Sequence, residues 1–135
     1  MKELFLLGRI VFGGYFVYSC INHLLSSEAM AQYAALKGVP LAEFAVLATG
    51  LLILAGGLSI AFGVVPHMGA LCIAVFLVGV SPVMHNFWDI ADPAQRMAEM
   101  INFTKNMALL GGVLMLLGIP RPWPYSLEAR RPIAA

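Results

Sequence analysis

The most constraining feature of this sequence is an uncharged stretch from Phe44 to Trp88, in which 45 consecutive residues include no Asp, Glu, Lys or Arg. One helical crossing of a bilayer takes about 20 apolar residues, so this stretch is long enough for two. Pro66 and His67 interrupt it near the middle. Because lipid offers no hydrogen-bond partners to the backbone, each crossing must be a helix. The sequence therefore predicts a transmembrane helical hairpin.

Two more apolar segments flank the hairpin, and the segment near the start has no charge between Arg9 and Glu28. A secretory signal is the alternative for that start, since Lys2 precedes the apolar run, but the run is long and favours a permanent span. We predict an all-α membrane protein, a four-transmembrane-helix bundle. Its predicted spans are Leu4 to Leu25, Leu41 to Val65, Pro66 to Trp88, and roughly Met100 to Ile119. The membrane domain would cover residues 1–119, and residues 120–135 would form a short tail containing Pro and Arg.

Composition supports a bilayer as the main partner. Hydrophobic residues make up 61% of the chain and charged residues 11%, against about 25% charged residues in water-soluble domains. Eight basic and seven acidic residues supply no basic surface for nucleic acid, so no nucleic-acid partner is expected. Cys20 and Cys72 fall at helical depths that differ by more than about 10 Å, too far for a disulfide, and are predicted to stay unpaired.

Basic residues predict the orientation in the membrane. An even number of spans places both termini on one side, and we predict that this side is the cytoplasm of a bacterial-type inner membrane. The predicted cytoplasmic side carries Lys2, Arg9, Arg121, Arg130 and Arg131, and the other side carries Lys37, Arg96 and Lys105.

Helix-capping signals lie in the two predicted outer loops. Ser26 and Ser27 predict the start of a short helix on the membrane surface, which would stop at Gly38. Asp92, followed by Pro93, predicts the start of the last long helix, which would run to Gly118.

Three side chains at the predicted cytoplasmic side are expected to reach the headgroup region. Arg9 is expected to extend its guanidinium to the interface. Trp123 and Tyr125, in a proline-rich segment that cannot be helical, are expected to lie at the same interface as amphipathic aromatics.

Polar residues converge on one layer near the predicted outer face. This layer contains Asn22 and His23 on the first span, His85, Asn86 and Trp88 on the third, and Asn102, Lys105 and Asn106 on the fourth. Polar groups within a bilayer are costly, so by default they suggest a functional site. On the fourth helix, Gln95, Glu99, Asn102 and Asn106 share one continuous face. We therefore predict one pocket, with His23, His85 and Asn102 within about 10 Å of one another.

Simpler interpretations stay open for several of these residues. Either histidine can be hydrated at a helix end, and Lys105 can extend to the headgroups. Trp88 and Phe87 can be interfacial aromatics or walls for a flat ring. No His-Glu-x-x-His, Cys-x-x-Cys or phosphate-binding glycine loop is present, and no metal site is predicted.

Several segments together resemble the DoxX family of small four-helix membrane proteins. They are Leu7-Gly8-Arg9, Tyr18 to His23, Lys37-Gly38-Val39-Pro40, Met84 to Trp88, and Ile101 to Asn106 followed by Gly111-Gly112. The resemblance runs from about Leu4 to Gly118. It implies a redox membrane subunit, because the family name derives from a subunit of a thiosulfate to quinone oxidoreductase. Relatives belong to membrane assemblies that handle thiol stress.

The leading hypothesis is a subunit of a quinone-dependent redox assembly, and whether it is itself an enzyme stays open. His23 or His85 would donate a hydrogen bond to a quinone carbonyl, and Asn102 and Asn106 would orient the ring. Its partners would be soluble or membrane redox subunits, with a homo-oligomer as an option. One alternative is a non-enzymatic carrier or assembly protein. Another is a b-type haem protein with His23 and His85 as ligands.

Overall fold

The computed structural model describes residues 1–130, and within them it contains five α-helices and no β-strand. The helices are α1 (Lys2–Leu25), α2 (Ser27–Leu36), α3 (Ala42–Phe62), α4 (Pro66–Met84) and α5 (Pro93–Leu117), with short 3-10 helices at Phe87–Asp89 and Glu128–Arg130. All but α2 are long and apolar enough to cross a membrane. The predicted fold class, an all-α membrane protein with a four-transmembrane-helix bundle, is confirmed.

Glycine contacts bring the long helices together. α1 packs on α3, α3 on α4, and α4 on α5. At the α1–α3 crossing, a Cβ placed on Gly57 would lie 2.6 Å from the carbonyl oxygen of Gly13, so the two backbones touch. A Cβ on Gly56 would similarly lie 2.9 Å from the carbonyl oxygen of Gly69 on α4. Such close packing stabilises helix association where lipid provides no hydrophobic drive.

The interior is mostly apolar, and so is much of the outer surface. Ile53, Ile60 and Ile73 are fully buried at the centre of the bundle. Exposed apolar side chains on the outer faces include Leu7, Val11, Leu51, Leu58, Leu71, Val78, Ile101 and Leu114. An exposed apolar surface of this extent is suited to contact with lipid.

The segment after α5 packs against one end of the bundle, which we call the terminal end because Met1 also lies there. Trp123 is fully buried, its ring makes an edge contact with Phe5 at a centroid distance of 5.3 Å, and its Nε1–H donates to the carbonyl of Ile119. The backbone N–H of Leu127 donates to the carbonyl of Phe62 at 3.0 Å. The side chain of Trp123 is thus enclosed by protein, whereas Tyr125 is 48% exposed. The depth of both residues in the membrane stays a prediction. Residues 131–135 of the predicted tail lie outside the described residues.

Arg9 is also covered by this C-terminal segment. It is 2% exposed, and its Nη2–H donates to the carbonyl oxygen of Tyr125 at 2.7 Å. The expectation that its guanidinium extends to the interface is wrong, because the segment folds over it.

At the opposite end, which we call the α2 end, α2 lies across the bundle. It ends before Gly38, whose φ of 79° is the left-handed conformation that glycine adopts readily. Ser26 occupies the N-cap position, but its side chain makes no capping hydrogen bond. Ala31 and Ala34 are buried together with Val46 of α3. The short helix is thus confirmed, and it packs on α3 and α1. Its position at the membrane surface stays a prediction.

The connection between α4 and α5 places polar residues at this same end. α4 ends at Met84, four residues earlier than predicted, and Pro82 within it leaves the carbonyl of Val78 without its helical N–H donor. Asp92 caps α5 as predicted, because its Oδ1 accepts from the backbone N–H of Gln95 at 2.8 Å. Which end of the bundle faces the cytoplasm stays a prediction.

Candidate functional site

A cavity of about 370 Å³ lies between α1, α4 and α5 at the α2 end, beneath α2. Its lining includes His23, Tyr33, His85, Lys105 and Asn106 together with the aromatic residues Tyr15, Phe16 and Phe76. α1 and α5 meet nearer the terminal end, where the ring of Phe12 packs over Gly112. The cavity therefore lies between α1 and α5 on the α2 side of the contact between Phe12 and Gly112.

His85 is held at the cavity by Glu99. Its Nδ1 lies 2.6 Å from Oε2 of Glu99, and the two side chains are 22% and 14% exposed. A carboxylate has only acceptor oxygens, so Nδ1–H is assigned as the donor. Nε2 is then the remaining polar atom of the imidazole. A neutral His85 presents a lone pair there, whereas a protonated His85 presents an N–H donor.

Glu99 also joins α2 to α5. The hydroxyl of Tyr33 lies 3.2 Å from Oε1 of Glu99 and 3.4 Å from the carbonyl oxygen of Met84. Burial raises the pKa of the Tyr33 hydroxyl, and the negative charge of Glu99 raises it further. Tyr33 therefore stays a hydrogen-bond donor through neutral pH.

A second contact fixes α2 over the cavity. Lys37, just after α2, donates from Nζ to the side-chain oxygen of Asn86. Asn86 in turn donates from Nδ2 to Oδ2 of Asp89 at 3.0 Å. Tyr33 and Lys37 thus connect α2 to the chain that follows α4.

His23 borders the cavity from α1. Its Nδ1 lies 2.9 Å from the carbonyl oxygen of Ser19, one turn earlier in the helix, so Nδ1–H is again the donor. The ring makes an edge contact with Phe76 at a centroid distance of 6.1 Å, and its Cβ packs against Gly50. In the neutral imidazole this arrangement leaves Nε2 as a hydrogen-bond acceptor.

The polar face of α5 is only partly turned inward. Asn106 is 7% exposed and lines the cavity, and Glu99 and Asn102 are half-buried, whereas Gln95 is exposed. Lys105 lies at the rim, where it is exposed and its Nζ donates to Oδ1 of Asn102 at 3.2 Å. Asn102 does not line the cavity itself.

Four predicted site residues do not line the cavity: Asn86 and Asn102, whose contacts are given above, and Asn22 and Trp88. Asn22 is exposed and does not line the cavity. Trp88 is 53% exposed and packs against Phe87 and Phe103 at centroid distances of 5.2 and 5.7 Å, outside the cavity. The aromatic residues that line the cavity are Tyr15, Phe16, Tyr33 and Phe76. The sequence did not distinguish Tyr15, Phe16 and Phe76 from other aromatic residues of the apolar spans.

The described residues contain two cysteines and no cluster of potential metal ligands. Cys20 is buried and Cys72 is half-buried, and both are free thiols. Within residues 1–130, no three His, Cys, Asp or Glu side chains come together as a metal site would require.

These features define an integral membrane protein with four membrane-spanning helices and a partly polar cavity at one end of the bundle. The DoxX family model matches residues 4–86, more than half of the chain, and the chain belongs to the DoxX family. It is also similar to the inner membrane protein YphA of Escherichia coli strain K12, with 27% identity over 127 residues that cover 94% of this chain and 89% of that protein. No solved structure matches. The family match ends at Asn86, so α5 with Glu99 lies beyond it.

Proposed function

We propose that this protein is a membrane subunit of a redox assembly in a bacterial-type inner membrane, and that its cavity binds the ring of a quinone. The observation that carries the proposal is the placement of His23 and His85 on one cavity, each anchored through Nδ1. The name of the DoxX family, which derives from a subunit of a thiosulfate to quinone oxidoreductase, supports the proposal, as does the membrane location in the name of YphA.

The cavity has the composition that a quinone ring requires. Its volume of about 370 Å³ falls within the usual range for ligand pockets, about 300 to 1,000 Å³. Phe16 and Phe76 provide apolar walls for a flat ring, while the imidazoles and Asn106 provide the few polar contacts that fix orientation.

Hydrogen bonding to the ring oxygens follows from the two imidazoles. In its protonated form, His85 would donate from Nε2 to a quinone carbonyl oxygen, with the carboxylate of Glu99 against Nδ1. A neutral His23 accepts at Nε2 and therefore suits the hydroxyl of the reduced ring. A bound quinone supplies two-electron redox chemistry, and the electrons would be exchanged with a soluble or membrane partner subunit.

A haem is the second candidate for the same two histidines. Anchoring of Nδ1 by Glu99 and by the Ser19 carbonyl is the arrangement that metal-ligating histidines use. A Soret band in the purified protein would favour haem over quinone. A carrier without redox function would bind quinone but exchange no electrons with a partner.

We expect His85→Leu to raise the Kd of a quinone at least about tenfold, since one charge-assisted hydrogen bond contributes about 1.5 to 3 kcal/mol and each 1.4 kcal/mol is tenfold. The bundle should remain folded, because Leu suits an apolar environment. The measurement is a titration of a water-soluble benzoquinone into protein in quinone-free nanodiscs. Asn22→Leu is the matched control at similar depth and should leave Kd unchanged. Equal Kd values for the wild type and His85→Leu would contradict the proposal.

A further inference from the structure

A second cavity, of about 290 Å³, lies between α3 and α4 at the α2 end, and we call it the α3–α4 groove. Besides the residues that it shares with the first cavity, its lining includes Ala45, Val46, Thr49, Leu52, Val75, Gly79 and Val83. Thr49 offers no free donor, because its hydroxyl donates to the carbonyl oxygen of Ala45 at 2.7 Å. The groove is therefore an apolar site.

The groove and the first cavity share part of their walls. Five residues line both of them: His23, Met30, Phe76, Val80 and Met84. Met30 and Met84 are unbranched, with three rotatable bonds each, so their side chains can move to open a passage. A molecule with its polar part beside His85 can thus extend past His23 and Phe76 into the groove.

We propose that the α3–α4 groove holds the isoprenoid chain of the quinone whose ring occupies the first cavity. This inference rests on the proposed function. Polar groups are concentrated in the first cavity, and the groove carries none that is free besides His23 at the shared wall. The two sites thereby match the two parts of one amphiphile. A phospholipid acyl chain in the groove is the competing occupant.

Gly79→Phe tests the groove. An added Cβ at Gly79 meets no described atom within 4 Å, so a ring can enter the groove without displacing the backbone. We expect the Kd of a quinone bearing a ten-carbon or longer chain to rise about tenfold, through steric exclusion of the chain. The Kd of a benzoquinone without a chain should stay within about twofold of the wild-type value. Gly111→Phe is the matched control, because the Cβ position at Gly111 is also open and Gly111 lines neither cavity.

The pair of probes separates this inference from the proposed function. If the chainless quinone binds the wild type but Gly79→Phe leaves both Kd values unchanged, or raises both equally, the groove does not hold the chain. If neither quinone binds the wild type, the proposed function fails and this inference fails with it.

Photolabelling locates the chain even if Gly79→Phe folds poorly. A quinone with a diazirine in its chain is expected to label α3 and α4 peptides that contain Leu52, Val75 or Val83. Labels confined to α1 and α5, or a phospholipid retained in the groove by the quinone-saturated protein, would overturn the assignment.

Discussion

A Gly57→Leu variant is expected to lose the folded bundle. A Cβ at this position would lie 2.6 Å from the carbonyl oxygen of Gly13 and 3.1 Å from the backbone nitrogen of Val17. Backbone atoms cannot rotate away as a side chain can, so α1 and α3 would have to separate along their whole crossing. Overpacking typically costs about 1 to 3 kcal/mol where neighbours can adjust, and we expect more than about 3 kcal/mol here.

Thermal unfolding in detergent, followed by circular dichroism, measures this loss. The matched control is Gly14→Leu, one residue from Gly13, where an added Cβ meets no described atom within 4 Å. That variant should unfold at the wild-type temperature. If Gly57→Leu also unfolded within a few degrees of the wild type, the close backbone contact between α1 and α3 would be wrong.

Replacement of Glu99 by Leu is expected to have the largest effect on ligand binding. It removes the acceptor for Nδ1–H of His85 and for the hydroxyl of Tyr33. Without Glu99 no acceptor orients the imidazole of His85, and we expect the Kd for quinone to rise about a hundredfold, which is about 2.8 kcal/mol at 1.4 kcal/mol per tenfold. The second consequence is a looser α2, because the contact of Tyr33 with Glu99 holds that helix over the cavity.

Two measurements test this variant, namely the quinone titration and hydrogen exchange of the α2 amides, which should become faster. Gln95→Leu is the control on the same helix, since the exposed Gln95 side chain accepts no contact from His85 or Tyr33. Tyr33→Phe removes one of the two contacts and should give an intermediate effect. Slow α2 exchange and an unchanged Kd in Glu99→Leu would show that Glu99 does not organise the site.

The spans and the helix caps follow from local sequence, which is why they were predictable. An uncharged run of 45 residues can only cross a bilayer as helices, and Asp92 before Pro93 determines where α5 begins. The burial of Arg9 and Trp123 was not predictable in this way. It depends on the C-terminal segment folding back over residues more than 100 positions earlier in the chain.

The depth of the polar cavity within the bundle was predictable from the sequence, but the set of side chains that line it was not. Helix periodicity placed Glu99 and Asn106 on one face of α5, and the structure turns both toward the bundle. Adjacent residues point about 100° apart around a helix, so depth alone could not tell the exposed Asn22 from His23.

Tyr33 and Lys37 were missed because their contacts depend on α2 lying across the bundle. Their spacing of four residues, which places them on one face of the short helix, was the available signal.

Whether a quinone ring lies against His85 is measured most directly by infrared difference spectroscopy of a quinone labelled with ¹³C at one ring carbonyl. The protein would be in quinone-free nanodiscs, and free quinone in the same lipid would be the reference. A hydrogen bond from Nε2 of His85 weakens the carbonyl bond, so the wild type should show a labelled band at lower wavenumber than the reference. In His85→Leu, the band should return to the reference position. A wild-type band that coincides with that of free quinone whichever of the two carbonyls carries the label would contradict quinone binding at His85.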